Sequence, residues 1–509
     1  MSQKHSSTAT DRKAGPFSAL AADLPASLVV FLVALPLSLG IALASGAPLM
    51  SGLIAAIIGG IVIGMAGGAP LQVSGPAAGL TVIVYGYIQQ YGWGVTCAIT
   101  VGAGLLQLAL GAAGVAPLAL GMSPAVIHGM LAAIGILIAL SQIHVVLGAE
   151  PGGKGLKNLM LLPESVAGMD LMAAVIGGIA IAILAAWPYL PARLRAIPGP
   201  LVAVLAATAV SLALGLQVPR VELGGDLFSS ISLPALPTGN FASILGAVVA
   251  LCFVASAESL LCAVATDKLH TGPRANLHKE LMGQGLGNTL SGLLGGLPVT
   301  GVIVRSSANI GAGGKTRLSP ILHGVWVLIF VALFPGVITM VPLAALAGLL
   351  VYTGIKLVNP HHIRELRRRG ELWVYLVTVV AIVSTNLLLG LGIGFGVALA
   401  RLLWKLTHAE VHVAQNGARW RVTVDGTLTF TAVPKLTTRL AAIPAGAEVE
   451  IDLAVRYLDH AGFDALNSWR QTHEKLGGKV HLEQLEEIWE RSNARARRLG
   501  DLHSAEVPA

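Results

Sequence analysis

Arg305 is the one basic residue among Lys and Arg, and Glu258 the one acid, that lie well inside the apolar stretches. An ionised group in hydrocarbon is expensive to bury, so a charge kept at such a position is a functional candidate by default. Arg305 follows Gly295-Gly-Leu-Pro-Val-Thr-Gly-Val-Ile-Val304, a Gly/Pro-broken stretch that cannot be one continuous helix. It precedes Ser306-Ser-Ala-Asn-Ile-Gly311, which can. Arg305 and Ser306 therefore sit at the start of a half-helix near mid-membrane. Free backbone N–H groups and the positive end of the helix dipole favour an anion there, and the guanidinium adds fixed positive charge. A second half-helix start is expected at Ser74-Gly-Pro-Ala-Ala-Gly-Leu80, where Gly75 allows close backbone approach. Two opposed N-termini and one arginine make a cradle for a small anion. The alternative for either motif is a kink used only for packing.

Glu258 lies in Phe253-Val-Ala-Ser-Ala-Glu-Ser-Leu-Leu-Cys262. A carboxyl in a low-dielectric site can exchange a proton near neutrality or ligate a cation. Glu258 is thus the candidate for coupling anion movement to H+, with Na+ as the rival ion. A structural Arg–Glu pair, or snorkelling to an interface, is the competing reading of both charges. Asp23, Asp170, Asp267 and Glu280 fall at expected segment ends. His128 and His144 are read as packing or interhelical hydrogen-bonding residues. His361-His362 has no ligand cluster beside it. The basic run Arg364-Glu-Leu-Arg-Arg-Arg369 is read as an anchor for anionic lipid headgroups.

The elements that must position these residues follow from composition. Of 509 residues, 54% are hydrophobic and 12% charged, half the charge of a soluble globular chain. This excludes an ordinary soluble enzyme and a disordered chain. Apolar segments follow one another at 24–44, 49–67, 71–88, 95–116, 124–147, 170–187 and 198–217. After a gap come 241–265, 280–296, 300–312, 318–340, 342–356, 372–389 and 390–407. That makes fourteen, of which 71–88 and 300–312 are short and interrupted by Gly and Pro. Residues 1–408 carry 21 Lys+Arg against 12 Asp+Glu, and 409–509 carry 12 against 14. The excess belongs to the hydrophobic part, so it reads as membrane orientation and not as a nucleic-acid surface. With the N-terminus inside, fifteen Lys/Arg fall on the cytoplasmic side and three (Lys154, Lys157 and Arg220) outside. The asymmetry places both termini in the cytoplasm.

The halves echo one another. Val33–Ala44 aligns with Val254–Ala265 at an offset of 221, and Leu71-Gln-Val-Ser-Gly75 with Leu297-Pro-Val-Thr-Gly301 at 226. An odd number of spans per half makes such repeats inverted, the pattern of secondary transporters. The expected domains are a cytoplasmic segment 1–23, repeats at 24–217 and 241–407, and a cytoplasmic α/β module at 409–509. In that module Arg419–Phe430 reads as a hairpin turning at Asp425-Gly426, Val449–Leu453 as a strand, and Asp464–Leu476 and Glu483–Arg498 as helices. Cys97, Cys252 and Cys262 lie in apolar stretches without metal-ligand spacing. No cofactor is implied, the N-terminus shows no cleavable apolar segment, and the absence of a Walker A sequence argues against ATP-driven pumping on this chain.

At these residues the chain resembles the SulP family, the sulfate-permease or solute carrier family 26 anion transporters. The resemblance rests on Asp23-Leu-Pro, Leu35-Pro-Leu-Ser-Leu-Gly-Ile-Ala42, Gln72-Val-Ser-Gly-Pro-Ala77 and Glu258-Ser-Leu-Leu. It continues through Asn276-Leu-His-Lys-Glu-Leu281 with Gly287-Asn288, and Pro298-Val-Thr-Gly301 through Arg305-Ser306 to Gly313-Gly-Lys-Thr316. It implies an α-helical polytopic membrane protein of 14 transmembrane segments, arranged as 7+7 inverted repeats with core and gate domains. It also implies elevator-like motion, a homodimer in the inner membrane of a bacterium, and a C-terminal STAS domain that could dock a cytoplasmic partner. Substrate would lie at Leu37, Ser38, Gly75, Pro76, Ala77, Gly301, Arg305 and Ser306, with Glu258 as the coupling residue. Sulfate, bicarbonate and C4-dicarboxylates such as fumarate all occur in the family. Two departures stand out. Many relatives carry Gln where this chain has Leu37, and phosphorylatable relatives carry Ser after the Tyr457-Leu-Asp459 motif, where this chain has His460.

Overall fold

Long apolar runs can satisfy their peptide groups inside a bilayer only as helices or closed sheets, and this sequence takes the helical solution almost throughout. The computed structural model describes residues 16–117, 123–150, 155–195, 197–225, 227–235, 241–416, 419–482 and 489. The chain divides into two compact units, Met1–Phe395 and Gly396–Ala509.

The first unit begins with α1 (Pro16–Ala44), α2 (Leu49–Ile58), a π-helical turn at Gly59–Ile63 and α3 (Gly64–Ala66). Strand β1 (Ser74–Pro76) and a 3-10 turn (Ala78–Leu80) lead into α4 (Thr81–Tyr91). Then come α5 (Trp93–Ala112), α6 (Pro124–Val146), α7 (Gly155–Ala167), α8 (Leu171–Ala186), α9 (Ala192–Arg195) and α10 (Gly199–Ala213). The second half runs through α11 (Phe241–Asp267), α12 (Leu277–Leu293), strand β2 (Val299–Gly301) and α13 (Ile303–Gly311). It continues with α14 (Leu318–Leu333), α15 (Pro335–Ile338), α16 (Leu343–Leu357), α17 (Pro360–Arg368), α18 (Leu372–Ser384) and α19 (Leu387–Thr407). Among the described residues seven helical stretches are long and apolar enough to cross a membrane, Leu20–Ala44 the first and Leu343–Arg368 the last. Shorter apolar helices complete the bundle at Gly199–Ala213, Leu318–Leu333 and Leu372–Ser384.

α4 and α13 are exceptions. Their 11 and 9 residues extend roughly 16 and 14 Å at 1.5 Å per residue, about half a hydrocarbon core of ~30 Å. Each is preceded by a three-residue strand. β1 and β2 pair antiparallel with register Ser74↔Gly301, Gly75↔Thr300 and Pro76↔Val299. The expected offset of 226 carries Ser74 to Thr300 and Gly75 to Gly301, so the first two pairs are images of each other under exchange of the halves. The pairing supplies partners for backbone that Gly75, Pro76, Pro298 and Gly301 keep out of a helix.

Around this crossing the helices sort into two sets. α1, α2, α5, α11, α12, α13 and α14 pack with one another and enclose both strands, while α6, α8, α16 and α18 pack together beside them. α5 and α12 approach backbone to backbone: a Cβ at Gly285 would stand 2.6 Å from Leu108 N, and one at Gly292 2.6 Å from Cys97 O. Small residues at such seams allow close helix contact.

The second unit holds β3 (Ala409–Asn416), β4 (Arg419–Leu428), α20 (Val433–Leu440), β5 (Glu448–Leu458), α21 (His460–Lys475) and β6 (Lys479–His481). The sheet order is β3-β4-β5-β6, with β3/β4 antiparallel and the other pairs parallel. Val422, Val424, Val449, Ile451 and Leu453 pack with Leu436, Leu440 and Leu466 of the helices into one core. This corrects the expected hairpin. β4 runs straight through Asp425-Gly426, where Gly426 at φ 106° adjoins a register shift, and the reversal lies between β3 and β4. Asp459 caps α21 by accepting from Gly462 N at 2.7 Å and holds Phe430 N at 2.7 Å with its other oxygen. The expected helix at 483–498 lies outside the described residues apart from Trp489.

Two further elements were not anticipated. α7 occupies what reads as loop, and His144 holds it, its Nδ1 2.6 Å from Ser165 Oγ and its Nε2 2.9 Å from Asn158 O. The packing role expected of His144 is therefore specific. The second is the intramembrane sheet, clamped by side chains at both strands. Asn288 donates to Val299 O at 2.9 Å and to Gln107 at 2.8 Å, and accepts from Val299 N at 2.6 Å. Asn288→Ala should leave both Val299 peptide groups unpaired and cost about 2–4 kcal/mol, read as a lowered thermal midpoint in detergent. A midpoint equal to wild type would mean that β2 is held by other contacts.

Candidate functional site

Arg305 is the third residue of α13 and is 0% exposed. Its position follows from local sequence: β2 ends at Gly301, Val302 is the N-cap, and no side chain caps the helix start. Nη2 donates to Ser38 Oγ at 2.9 Å, whose own hydrogen goes to Ala34 O at 2.7 Å. Nε and Nη1 have no hydrogen-bond partner. Nη1 lies against Gly75 of β1, where any Cβ would collide with it. A side chain at Gly75 would have to push the guanidinium aside, so glycine lets the backbone come up to it.

Glu258, near the middle of α11, reaches the same stretch four residues further on. A Cβ at Gly79 would strike both of its carboxylate oxygens. Glu258 Oε2 is sealed from solvent without a partner. The two charges thus flank the start of the α4 half-helix, Arg305 at Gly75 and Glu258 at Gly79. With guanidinium nitrogens and a carboxylate oxygen still unpartnered, they do not form the closed Arg–Glu pair of the competing reading.

The remaining expected residues divide. Gly75, Pro76 and Ala77 are buried along β1 and its exit, and the following turn also begins without a side-chain cap. Gly301 donates its N–H to Ser259 Oγ at 3.2 Å and leaves no room for a side chain beside Gln72. Ser306 is committed to structure: its hydroxyl donates to Val302 O at 2.8 Å and accepts from Val73 N at 3.0 Å. Leu37, 6% exposed, belongs to the main apolar cluster, so Ser38 is the α1 residue that meets Arg305.

Sequence reasoning missed the residues that hold β1. Glu280 lies in the first turn of α12, at a segment end as expected, yet it is 1% exposed. Its Oε2 accepts from Gly68 N and Ala69 N, and its Oε1 from Gln72 Nε2 and Gln284 Nε2, all at 2.8 Å. Gln284 also donates to Ser74 Oγ at 2.8 Å. Asp23, 0% exposed, likewise accepts from Lys315 N at 2.7 Å and Thr316 N at 3.1 Å. The signal was available: Asp23, Glu280, Asn288 and Lys315-Thr316 all lie in the motifs quoted above, and only their partners were unknown.

A cavity of about 660 Å³ runs along α4 from Thr81, just beyond the site, past Tyr85 to Gln89 and Gln90. Residues of α6, α7 and α18, Lys157 among them, face it from the other side. A buried, incompletely paired cation at the start of broken half-helices, beside a cleft between two helix sets, defines a multi-pass membrane transporter for anions.

The chain belongs to the sulfate permease family, whose model it matches over residues 20–381. It is 27% identical over 399 residues to the putative sulfate transporter YvdB of Bacillus subtilis (strain 168), covering 76% of this chain and 74% of that protein. It is 26% identical over 418 residues to the bicarbonate transporter BicA of Picosynechococcus, covering 79% and 73%. The solved transmembrane domain of a cyanobacterial BicA superposes with a TM-score of 0.66 at 27% identity, over 73% of this chain and 97% of that one. Murine solute carrier 26 family member A9, at 16% identity, shares the fold with a TM-score of 0.73 over 92% of this chain and 87% of its own.

Gly75→Ala should displace the guanidinium and weaken anion binding by at least about tenfold, near 1.4 kcal/mol, with helix content by circular dichroism unchanged. Wild-type affinity in a folded Gly75→Ala protein would show that the Gly75–Arg305 contact does not shape the site.

Proposed function

We propose that this protein is a secondary active transporter of a small anion, sulfate, bicarbonate or a C4-dicarboxylate, driven by H+ symport. The observation that carries the reading is Arg305, fully buried with Nε and Nη1 unpartnered beside two uncapped half-helix starts. Such a group is stabilised when an anion completes its hydrogen bonds and charge. Glu258, with one carboxylate oxygen unpartnered against the same half-helix, is the coupling residue, and H+ is preferred to Na+ as its ion.

In the proposed cycle the helix set that encloses β1 and β2 carries the site past the set of α6, α8, α16 and α18, as an elevator. The cleft along α4 between the two sets supports that division. The charge asymmetry supports an orientation with both termini in the cytoplasm, in a bacterial inner membrane. The α/β unit is read as a STAS domain whose role is folding, dimer contact or partner docking, since His460 stands where phosphorylation would need Ser. A homodimer completes the proposal.

Purified protein in proteoliposomes should take up at least one of labelled sulfate, bicarbonate and fumarate, and an inward proton gradient should drive its accumulation. A sodium gradient that replaces the proton gradient, or conductance indifferent to both, would overturn the coupling. Glu258→Gln should abolish gradient-driven accumulation, and retained accumulation would remove Glu258 from that role. Arg305→Ala should cost about 2–4 kcal/mol in anion affinity in a protein that still folds, and unchanged affinity would remove Arg305 from the site.

A further inference from the structure

α4 presents two unlike faces. On one, the Tyr87 hydroxyl donates to Ala247 O at 3.0 Å and the Tyr91 hydroxyl pairs with that of Ser243, which ties the half-helix to α11. On the other, Thr81, Tyr85, Gly86, Gln89 and Gln90 fall at the spacing of one helix face and line the cavity of about 660 Å³. Exposure rises along that stripe, from Thr81 at 1% through a half-buried Tyr85 to an exposed Gly86, Gln89 and Gln90. The cavity therefore narrows toward the anion site and opens at the end of α4. Gly86 marks its lumen, since a Cβ there would meet nothing within 4 Å. A glycine inside a helix is unfavourable relative to alanine, and here no protein neighbour requires one.

Lys157 is the one charged side chain among the residues that line this cavity. It stands in the first turn of α7, which His144 fastens to α6, and it is exposed, as are Gln89 and Gln90 at the open end. The other polar groups on the walls, Ser141 and Asn386 among them, are neutral. No acid falls in the first turn of α7, and among the described residues Lys157 has no ion-pair partner. In the orientation proposed above Lys157 lies outside, where topology gives a lysine no task. A lone cation at the mouth of a cavity that ends two residues from Gly79 is suited to meet an anion.

We propose that Lys157 is the capture residue for anions that enter along α4: its ammonium concentrates them at the mouth of the cavity and so sets how fast a dilute anion reaches Arg305. This rests on the reading of Arg305 as the anion site. Apolar wall residues such as Leu137, Ile138 and Val383 focus the field of a single charge into the lumen. Coulomb energy scales with the charge of the anion, so the factor Lys157 gives a monoanion is squared for a dianion. Lys157 thereby favours sulfate and fumarate over bicarbonate at entry, a selection separate from binding at Arg305.

The test is initial uptake of labelled sulfate, bicarbonate and fumarate, each well below half-saturation, into proteoliposomes of uniform orientation carrying wild type or Lys157→Cys. The three native cysteines are buried, so impermeant thiol reagents reach the introduced one. Lys157→Cys should lower the initial rate about twofold for bicarbonate and about fourfold for sulfate or fumarate, with the saturated rate unchanged. A methanethiosulfonate reagent that attaches a trimethylammonium group should restore the rate, and one that attaches a sulfonate should lower it further. A structural lysine does not produce opposite responses to the two charges. Rates unchanged by the substitution, or equal responses to both reagents, overturn the proposal. Should Lys157→Cys fail to fold, Lys157→Gln and Lys157→Arg decide: the loss in Gln with wild-type rates in Arg supports capture, and equal rates in the two overturn it. If wild type takes up none of the three anions, the transport reading itself fails, a result separable from the others because it involves no variant.

Discussion

A guanidinium held at zero exposure inside an apolar bundle, with two of its three nitrogens unpartnered, is the constraint on which the rest of this structure depends. Breaking or omitting one partner of a buried charge costs several kcal/mol, so the fold must bring polar groups to Arg305 inside the bundle. It does so by interrupting two helices. β1 and β2 replace helical turns, pair with each other, and leave the starts of α4 and α13 uncapped beside the charge. Gly75 lets the backbone touch the guanidinium, and Ser38 from α1 supplies its single hydrogen bond.

The acids show how structure and function separate within one bundle. Glu280 is saturated by two backbone and two side-chain N–H donors and fixes β1. Asp23 is saturated by the Lys315 and Thr316 amides and the Thr316 hydroxyl, and it ties α1 to the approach to α14. Such carboxylates have no spare capacity and act as clamps. Glu258 keeps an unpartnered oxygen against the α4 half-helix. The difference between a clamp and a working group is whether its hydrogen bonds are already spent.

Much of this was legible from residues alone, for identifiable reasons. Gly and Pro announce where a helix must break, so both half-helix starts could be placed, and scarcity of charge made Arg305 and Glu258 readable. The strand pairing was not legible, because three residues carry no periodicity; only the offset of 226 hinted at it. Glu280 reads as a segment end, and the first turn of α12 holds it, but its partners at Gly68, Ala69 and Gln72 are more than 200 residues away in sequence and leave no local signal of its burial. Asp425-Gly426 carries a turn signature, yet Gly426 serves a bulge in a continuous strand. Ser306 and Leu37 show the limit of motif transfer: one spends its hydroxyl on the strand crossing and the other packs in the apolar core.

The central claim, that Arg305 and the two half-helix starts form the anion site, is tested most directly by seeing where an anion binds. Protein crystals soaked in selenate, a heavy analogue of sulfate, would give an anomalous difference map. A peak is expected at about 3 Å from Arg305 Nη1 or Nε, facing the backbone between Gly75 and Gly79. A peak elsewhere, for instance beside Lys157 in the cleft along α4, with none at Arg305, would contradict it.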